Sequence, residues 1–499
     1  MQLNSNYDLV YNVSAIGHEY ADAHEFFLTP HCTAVFTSYH HRAHNLSEFN
    51  ITDGYIIDNS IQEVDLATNT LLFEWRASDH IPLSDTYLFP NMSQQGHSPG
   101  NAMDFFHMNS IEKDDAGNYL ISARHTHALY YIDGRTGSIL WALGGKRNDF
   151  TDLSNNTATN FAWQHHARWA SPARTAITLF DNRDSKYEFA PDYLSRGVIL
   201  TLDQTAKTVA LTAEYRSPSN ITAIREGSMQ LLSDSAMPGN VLLGWGNEPA
   251  WTEYAANGTI VWDVRLGPLN LDRQSADNYR ALKVNWTAAP QWSPKIAAGP
   301  AEADLLLPLA EKLENVDAGR NDTAYFSWNG ATDVETWVIL ASTDRPELGV
   351  GDVWKVVPKS GFESSVFVGG EARFVRALAV ATNGSVVGVS DVLDMVDGKV
   401  TEIEFDVEAF ERETRKIMTS ETRALGALAI VLGVGALIVF YLRSRRVMRA
   451  YPQVSGRKRS DTLDSKMELA FTINVVDCDE ENALAGKEEM ERYRDDESK

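Results

Sequence analysis

The sequence is poor in cysteine and in positive charge, and each scarcity excludes a class of protein. Its 499 residues contain only two cysteines, Cys32 and Cys478, so neither a disulfide framework nor a cysteine-based zinc motif is available. These cysteines fall on opposite sides of the membrane span inferred below, and we therefore do not expect them to pair. The net charge of −24 argues against a nucleic-acid partner, because binding phosphate requires a basic surface.

Long apolar runs are scarce too, and the one that stands out covers residues 424–442. About 20 residues of α-helix span a hydrocarbon core of ~30 Å. Arginines follow this run directly, and positive residues mark the cytoplasmic side of a membrane segment. The pattern predicts one transmembrane helix, with the N-terminal domains lumenal or extracellular. The tail, 443–499, is predicted to be cytoplasmic and disordered, because it is strongly charged.

The N-glycosylation sequons agree with this topology. Each has the form Asn-x-Ser/Thr, all of them precede the predicted helix, and none follows it. This partition predicts a glycoprotein of the secretory pathway. The sequon asparagines are Asn12, Asn45, Asn50, Asn91, Asn155, Asn220, Asn257, Asn285, Asn321 and Asn383.

Residues 1–290 consist of short β-type runs separated by Gly, Asn and Asp. Similar units, each with four predicted strands, begin near His24, His107, Gln164 and Gly227. Antiparallel strands in groups of four, repeated along the chain, are typical of propeller blades. The sequence therefore predicts a β-propeller.

Four blades close a ring poorly, so further strands are expected at both ends of the propeller. Asn6–Val13 resembles the last strand of an earlier blade, and Tyr279–Thr287 resembles one strand of a closing blade. No signal peptide opens the chain, because residues 1–5 lack a basic stretch followed by an apolar one. We expect a five- or six-bladed ring with a truncated N-terminus.

A second β domain is predicted after the propeller. A linker rich in Pro and Ala, 288–300, precedes residues 301–398, where apolar and polar residues alternate as in an Ig- or fibronectin-like sandwich. A charged stem, 400–423, leads to the predicted membrane helix. The expected fold is all-β, with domains at 1–290, 301–398, 424–442 and 443–499.

Histidines mark the predicted blades. All thirteen lie at or before His166, and His24, His107 and His165 open the first strands of consecutive blades. In a propeller the first strand lines the central channel, and the second strand ends on the face where the first begins. Those second-strand ends carry His40, His41, Arg124, His125 and Arg183.

Imidazoles and guanidiniums gathered at one channel mouth would suit an anion. Two other interpretations stay open. The histidines are satisfied polar groups that bind water and carbonyls, or three of them converge on a zinc or copper ion. No paired carboxylate was recognised at a suitable spacing, so the expected site has no metal and no cofactor.

Several motifs resemble the arylsulfotransferase family, specifically its fungal membrane-anchored branch, over about residues 1–400. The similar segments are Asp104–Ile111, Gly117–Arg124, Asp133–Gly145, Trp163–Arg168, Phe180–Arg183 and Gly239–Gly246. The resemblance implies a six-bladed propeller that moves a sulfuryl group between phenolic compounds without a nucleotide donor. It implies a small phenol or aryl sulfate as the partner.

The resemblance also implies roles for individual residues. His107, His165 and Arg183 match family motifs and would stabilise the charge of the sulfuryl group in the catalytic site. His24, Arg124 and His125 are the predicted anion-binding residues beside them. The family's nucleophilic histidine lies on a later blade, yet the matching region, 227–232, has none. Either His107 or another mouth histidine replaces it, or the protein is an inactive propeller that binds an anionic or aromatic ligand.

Overall fold

A computed structural model describes residues 2–18, 20–88, 95–183, 194–232, 239–269, 276–284, 286–300 and 322–421. These residues form mostly β-structure and separate into two compact units. Residues 11–284 make one unit, and residues 2–10 together with 286–421 make the other. The predicted membrane helix, 424–442, and the predicted tail lie outside the described residues. Within the described part of the chain, no helix is long and apolar enough to cross a membrane.

The first unit contains four successive sheets, each with four antiparallel strands, and the third sheet has one additional short parallel strand. The alternation of apolar and polar residues, with turns between, favours such hairpin-connected strands. Sheet 1 contains β3 (Tyr20–Leu28), β4 (Thr33–Leu46), β5 (Ile51–Asp65) and β6 (Leu71–Arg76). Sheet 2 contains β7 (Met108–Lys113), β8 (Tyr119–Ala123), β9 (Ala128–Ile132) and β10 (Ile139–Gly144).

The next two sheets repeat this order, and the predicted blade content is confirmed in all four. Sheet 3 contains β12 (His165–Trp169), β13 (Ala176–Asp181), β14 (Arg196–Asp203) and β15 (Thr208–Arg216), with β11 (Thr151–Asp152) parallel to β15. Sheet 4 contains β16 (Ser228–Leu231), β17 (Val241–Gly244), β18 (Ala250–Tyr254) and β19 (Ile260–Arg265). A four-residue helix, α1 (Ala77–His80), follows β6.

Apolar cores lie between consecutive sheets, as in the packing of propeller blades. Neighbouring residues of β8 show how this arises, because successive side chains of a strand point to opposite faces. Ile121 packs with Ile61 and other residues of sheet 1, whereas Leu120 packs with Leu179 and other residues of sheet 3. A third core joins Phe180 of sheet 3 to sheet 4. Burying both faces stacks the sheets in chain order.

The two segments expected to close the ring do not add blade strands. Within Asn6–Val13 the strand β2 (Leu9–Tyr11) pairs with β1 (Gln2–Leu3) in a separate two-stranded sheet. The described residues of Tyr279–Thr287 form no strand. They run beside β16. The side chains of Ser228 and Gln230 in β16 hydrogen-bond to the backbone N–H and carbonyl groups of Ala281 and Lys283.

The second unit is built around two β-sheets that share a core. One sheet contains β20 (Lys295–Gly299), β21 (Thr323–Ser327) and β24 (Glu363–Phe367). The other contains β22 (Val334–Ser342), β23 (Val353–Pro358), β25 (Phe374–Ala381), β26 (Val386–Val389), β27 (Val392–Asp394) and β28 (Val400–Thr401).

Facing side chains of the two sheets make a sandwich core. The rings of Phe326 and Trp337 lie 5.1 Å apart, centroid to centroid. The strand β20 falls in the segment 288–300, which was predicted to be a linker. The β-sandwich therefore begins earlier in the chain than residue 301, its predicted start. The predicted stem contains a helix, α2 (Val407–Glu421), whose Phe410 packs on the sandwich.

Cys32 is buried, at 2% exposed, and Cys478 lies outside the described residues, so the expectation that the two cysteines do not pair stays a prediction. The sequon asparagines within the described residues are all exposed, as glycosylation requires. They are Asn12, Asn45, Asn50, Asn155, Asn220, Asn257 and Asn383.

Candidate functional site

The first strands of sheets 1 and 2 bring three histidines into ring contact. His24 lies within β3, His107 directly precedes β7, and His125 follows β8. The ring centroids of His24 and His107 are 4.8 Å apart, and those of His107 and His125 are 4.7 Å apart. We call these three residues the imidazole cluster. Of the three histidines predicted to open first strands, His24 and His107 lie together, and the second-strand residue His125 joins them on the other side of His107.

Two carboxylates hold the cluster. The Nδ1 of His107 bonds to Asp104 Oδ2, and the Nδ1 of His24 bonds to Asp22 Oδ1. A carboxylate accepts hydrogen bonds only, so each imidazole presents an N–H at Nδ1 and leaves Nε2 to face a reactant. Among the described residues, neither Nε2 has a hydrogen-bond partner. The His107 and His24 side chains are 23% and 19% exposed, so a small molecule can reach both.

Both carboxylates stay ionised. Burial alone would raise the pKa of Asp104, but the electrostatic interaction with His107 and the hydrogen bond from its ring outweigh burial and lower this pKa well below its usual range. The pKa of Asp22 is lowered in the same way: burial opposes ionisation, and the hydrogen bond and charge of His24 prevail. Each carboxylate–imidazole pair therefore contains a carboxylate anion bonded to Nδ1 of the histidine.

His125 differs from its two neighbours because both of its ring nitrogens are occupied. Its Nδ1–H donates to the carbonyl oxygen of Asp104, and its Nε2 accepts from Arg124 Nη1 at 2.7 Å. Burial, followed by the nearby cations, lowers the pKa of His125 well below its usual value. His125 is thus a neutral imidazole that fixes the position of Arg124.

Arg124 brings a guanidinium to the edge of the cluster. Its Nη2 donates to the carbonyl of Ile224 at 3.0 Å, and its Cζ lies 4.8 Å from the ring centroid of Trp163. A guanidinium held by stacking and by fixed hydrogen bonds offers positive charge at a defined place. This geometry agrees with the predicted anion-binding role of Arg124.

His165 opens β12, as predicted, but its ring is fully bonded. Its Nδ1 lies 2.8 Å from Asn182 Oδ1, and its Nε2 accepts from the backbone N–H of Glu226 at 3.2 Å. Burial, and then the charge of Arg124, lowers its pKa well below the usual value. In this arrangement His165 positions its neighbours, and its role as a charge-stabilising residue stays a prediction.

Arg183 follows β13, and the two other histidines of the predicted mouth, His40 and His41, lie within β4. Arg183 lies 3.8 Å from Asp181, and burial lowers the pKa of Arg183 although the charge of Asp181 opposes this shift. His40 contacts the ring of His18. His40 and His41 belong to an extension of the β4–β5 hairpin, which continues past the blade. The convergence of these three residues on the imidazole cluster stays a prediction.

The two carboxylates that bind His107 and His24 lie close to these histidines in the sequence. Asp22 precedes His24 by two residues, and Asp104 precedes His107 by three. Spacing alone does not show a bond, because the side chains of an extended strand alternate between faces. The irregular pairing of β3 with β4 between Ala21 and Phe26, and the left-handed backbone of His107 (φ 55°), turn the partners toward each other.

Asp104, His107 and His125 are also a candidate metal set, with one ligand atom from each inside 4.8 Å. The bonding pattern disfavours an ion. A metal at Nδ1 of His125 requires the proton on Nε2, but Arg124 already donates to that nitrogen. The donor set suits an anionic or aromatic reactant better than a cation.

The fold and this site define an all-β protein whose stacked sheets hold carboxylate-bound imidazoles beside a guanidinium. The family model for arylsulfotransferase (ASST) matches residues 1–267. The chain belongs to this family, which confirms the resemblance found in the sequence motifs. Membership of the fungal membrane-anchored branch stays a prediction. Comparison with curated proteins gives no match.

Solved structures resemble the chain only distantly. A protein of unknown function from Bacteroides caccae is 12% identical over 69% of this chain and 88% of its own, with a TM-score of 0.25. The β-propeller domain of Cps50 (Swd1) from Myceliophthora thermophila is 13% identical over 43% and 58%, with a TM-score of 0.25. The Dos1 propeller is 11% identical over 53% and 63%, with a TM-score of 0.26.

Proposed function

We propose that this protein transfers a sulfuryl group from an aryl sulfate to a phenol, without a nucleotide donor, and that His107 carries the group. The observation that supports this most directly is the Asp104–His107 pair, in which Asp104 holds Nδ1 and the His107 side chain is 23% exposed. In the first step Nε2 bonds to sulfur and the bond from sulfur to the aryl oxygen breaks. In the second step the acceptor oxygen bonds to sulfur and the bond to Nε2 breaks.

The surroundings of His107 suit this chemistry. Asp104 holds the proton on Nδ1, so the lone pair of Nε2 faces the substrate and the imidazolium formed by attack is stabilised. A sulfuryl group in flight spreads negative charge over three oxygens, as a phosphoryl group does. The guanidinium of Arg124 would stabilise that charge. The missing histidine at 227–232 would then be replaced by one from another blade.

The assay for this proposal uses the purified full-length chain with 4-nitrophenyl sulfate as donor and phenol as acceptor. We expect 4-nitrophenol release that depends on phenol and matches the phenyl sulfate formed. Because one histidine carries the group between two substrates, the kinetics should be ping-pong. Binding of the donor without any transfer would reject the enzymatic proposal. It would favour an inactive binding propeller, the alternative that the absent histidine at 227–232 suggests.

We also propose that the four sheets belong to a five- or six-bladed ring and that residues 424–442 anchor it to a membrane. The run of apolar residues followed by arginines, and the exposed sequons before it, support this topology. Expressed in eukaryotic cells, the protein should resist alkaline carbonate extraction and shift in mobility after glycosidase treatment. Release by carbonate would exclude the anchor, and an experimental structure with another number of blades would exclude the ring.

A further inference from the structure

A second carboxylate–imidazole pair lies beside the proposed nucleophile. The His24 ring meets the His107 ring at an interplanar angle of 83°, with centroids 4.8 Å apart. Its own partner, Asp22, also accepts from Thr37 Oγ1 at 3.2 Å and from the His24 backbone N–H at 2.9 Å. Asp22 is therefore fixed by three donors, and it fixes His24 in turn.

Other contacts support the same placement. Arg280 Nη2 donates to the backbone carbonyl of His24 at 2.8 Å, and the Tyr39 ring stacks on the His24 ring at 5.6 Å. Tyr279 approaches the His24 ring edge-on at 5.9 Å. Its hydroxyl is buried and has no hydrogen-bond partner among the described residues. A buried hydroxyl without a partner is costly, so Tyr279 would bond to water or to a polar ligand on this side of the site.

The proposed reaction needs a proton donor that His107 cannot supply. While Nε2 of His107 bonds to sulfur, the departing phenolate must gain a proton, and later the acceptor phenol must lose one. Of the two imidazoles in ring contact with His107, His125 has both nitrogens occupied. Within the described part of the chain, the Nε2 of His24 has no hydrogen-bond partner and its side chain is 19% exposed, so His24 can serve in this proton transfer.

Building on the proposed sulfuryl transfer, we propose that the Asp22–His24 pair is its general acid and base. In the first step His24 acts in its imidazolium form, with Asp22 holding the proton on Nδ1, and gives its second proton from Nε2 to the departing phenolate as the sulfur–oxygen bond breaks. In the second step Nε2 takes a proton from the acceptor phenol as its oxygen bonds to sulfur. The proton lost in one half-reaction is regained in the other, so His24 returns to its starting state.

The test compares two donors, 4-nitrophenyl sulfate and phenyl sulfate, in H24N and the unmodified chain. The 4-nitrophenolate group leaves without help because it is a weak base, whereas phenolate needs the acid. General acid catalysis contributes about 10²–10⁴-fold. We therefore expect kcat/KM for phenyl sulfate to fall at least ~10²-fold in H24N, and that for 4-nitrophenyl sulfate to fall much less.

The donor kcat/KM reports only the first half-reaction, and the ratio between donors in one variant does not depend on the folded fraction. D22N should show the same selective loss in weaker form. The exposed His31, changed to asparagine, is the matched control. Equal losses for both donors, or no loss, would overturn the role of His24 while leaving transfer itself intact. A wild-type chain inactive toward both donors would overturn the proposed function and this role with it.

Discussion

Replacing His107 by asparagine is expected to lower the rate of sulfuryl transfer by at least ~10³-fold for every donor. The asparagine amide can still donate to Asp104, so the local hydrogen bond is kept while the nucleophilic Nε2 is lost. Unlike the loss at His24, this loss does not depend on the leaving group, because no covalent intermediate forms. Initial rates with 4-nitrophenyl sulfate and phenol measure it.

The intermediate itself provides the second measurement. Rapid quenching of the unmodified chain with donor alone, followed by peptide mass spectrometry, should locate a sulfuryl group on His107. H107N should carry none, and H31N, which makes the same change at an exposed histidine, should transfer at the unmodified rate. A sulfuryl group on another residue, or transfer by H107N within a few-fold of the unmodified chain, would refute the assignment of the nucleophile.

Changing Glu25 to glutamine should strongly lower the free energy of unfolding of the first unit, residues 11–284. The carboxylate is buried, 5% exposed, and it binds Arg168 of β12 and Arg280 at 2.5 and 3.0 Å. Burial raises its pKa, but the two guanidiniums outweigh burial and lower it. Removing one partner of a buried ion pair costs about 3–5 kcal/mol. Chemical denaturation of the full-length chain at neutral pH would measure this loss.

The ion pairs of Glu25 also determine how the stability of the protein changes with pH. Because the folded-state pKa of Glu25 lies below its unfolded value, its contribution is present above the unfolded pKa and declines as the pH falls through the folded pKa. E25Q should remove this part of the acid sensitivity. D277N breaks the exposed pair with Arg225 and should cost less than ~1 kcal/mol. Equal destabilisation by both changes would show that Glu25 is not a structural link.

Sequence patterns were sufficient for the sheets but not for ring closure. Strand residues such as Leu120 and Ile121 alternate, and that period dictates two buried faces for each blade. The edges were less predictable. Asn6–Val13 and Tyr279–Thr287 have the composition of strands, yet their neighbours decide whether they pair. In the same way, Lys295–Gly299 looked like linker and forms an edge strand.

The candidate site was predictable in composition and only partly in geometry. The repeat placed His24 and His107 at equivalent positions, and the motif around Arg124 and His125 marked the adjoining strand end. The repeat gave no reason to expect that the bonding of His165 would differ from that of His24 and His107. Whether a ring nitrogen is open or occupied depends on groups distant in the chain, such as Glu226 beside His165. A repeat describes positions and says nothing of such partners.

The sequence by itself determined the four-stranded repeat, the family and the set of histidines, because these follow from local periodicity and motif spacing. Only the tertiary structure decided which histidines can react. Asp22 and Asp104 bind His24 and His107 through backbone irregularities at the start of the inner strands. Arg124 hydrogen-bonds to a ring nitrogen of His125, and Asn182 to one of His165. These hydrogen bonds depend on local backbone geometry around His24, His107 and His125 and on a distant residue at His165, and motif spacing alone specifies neither.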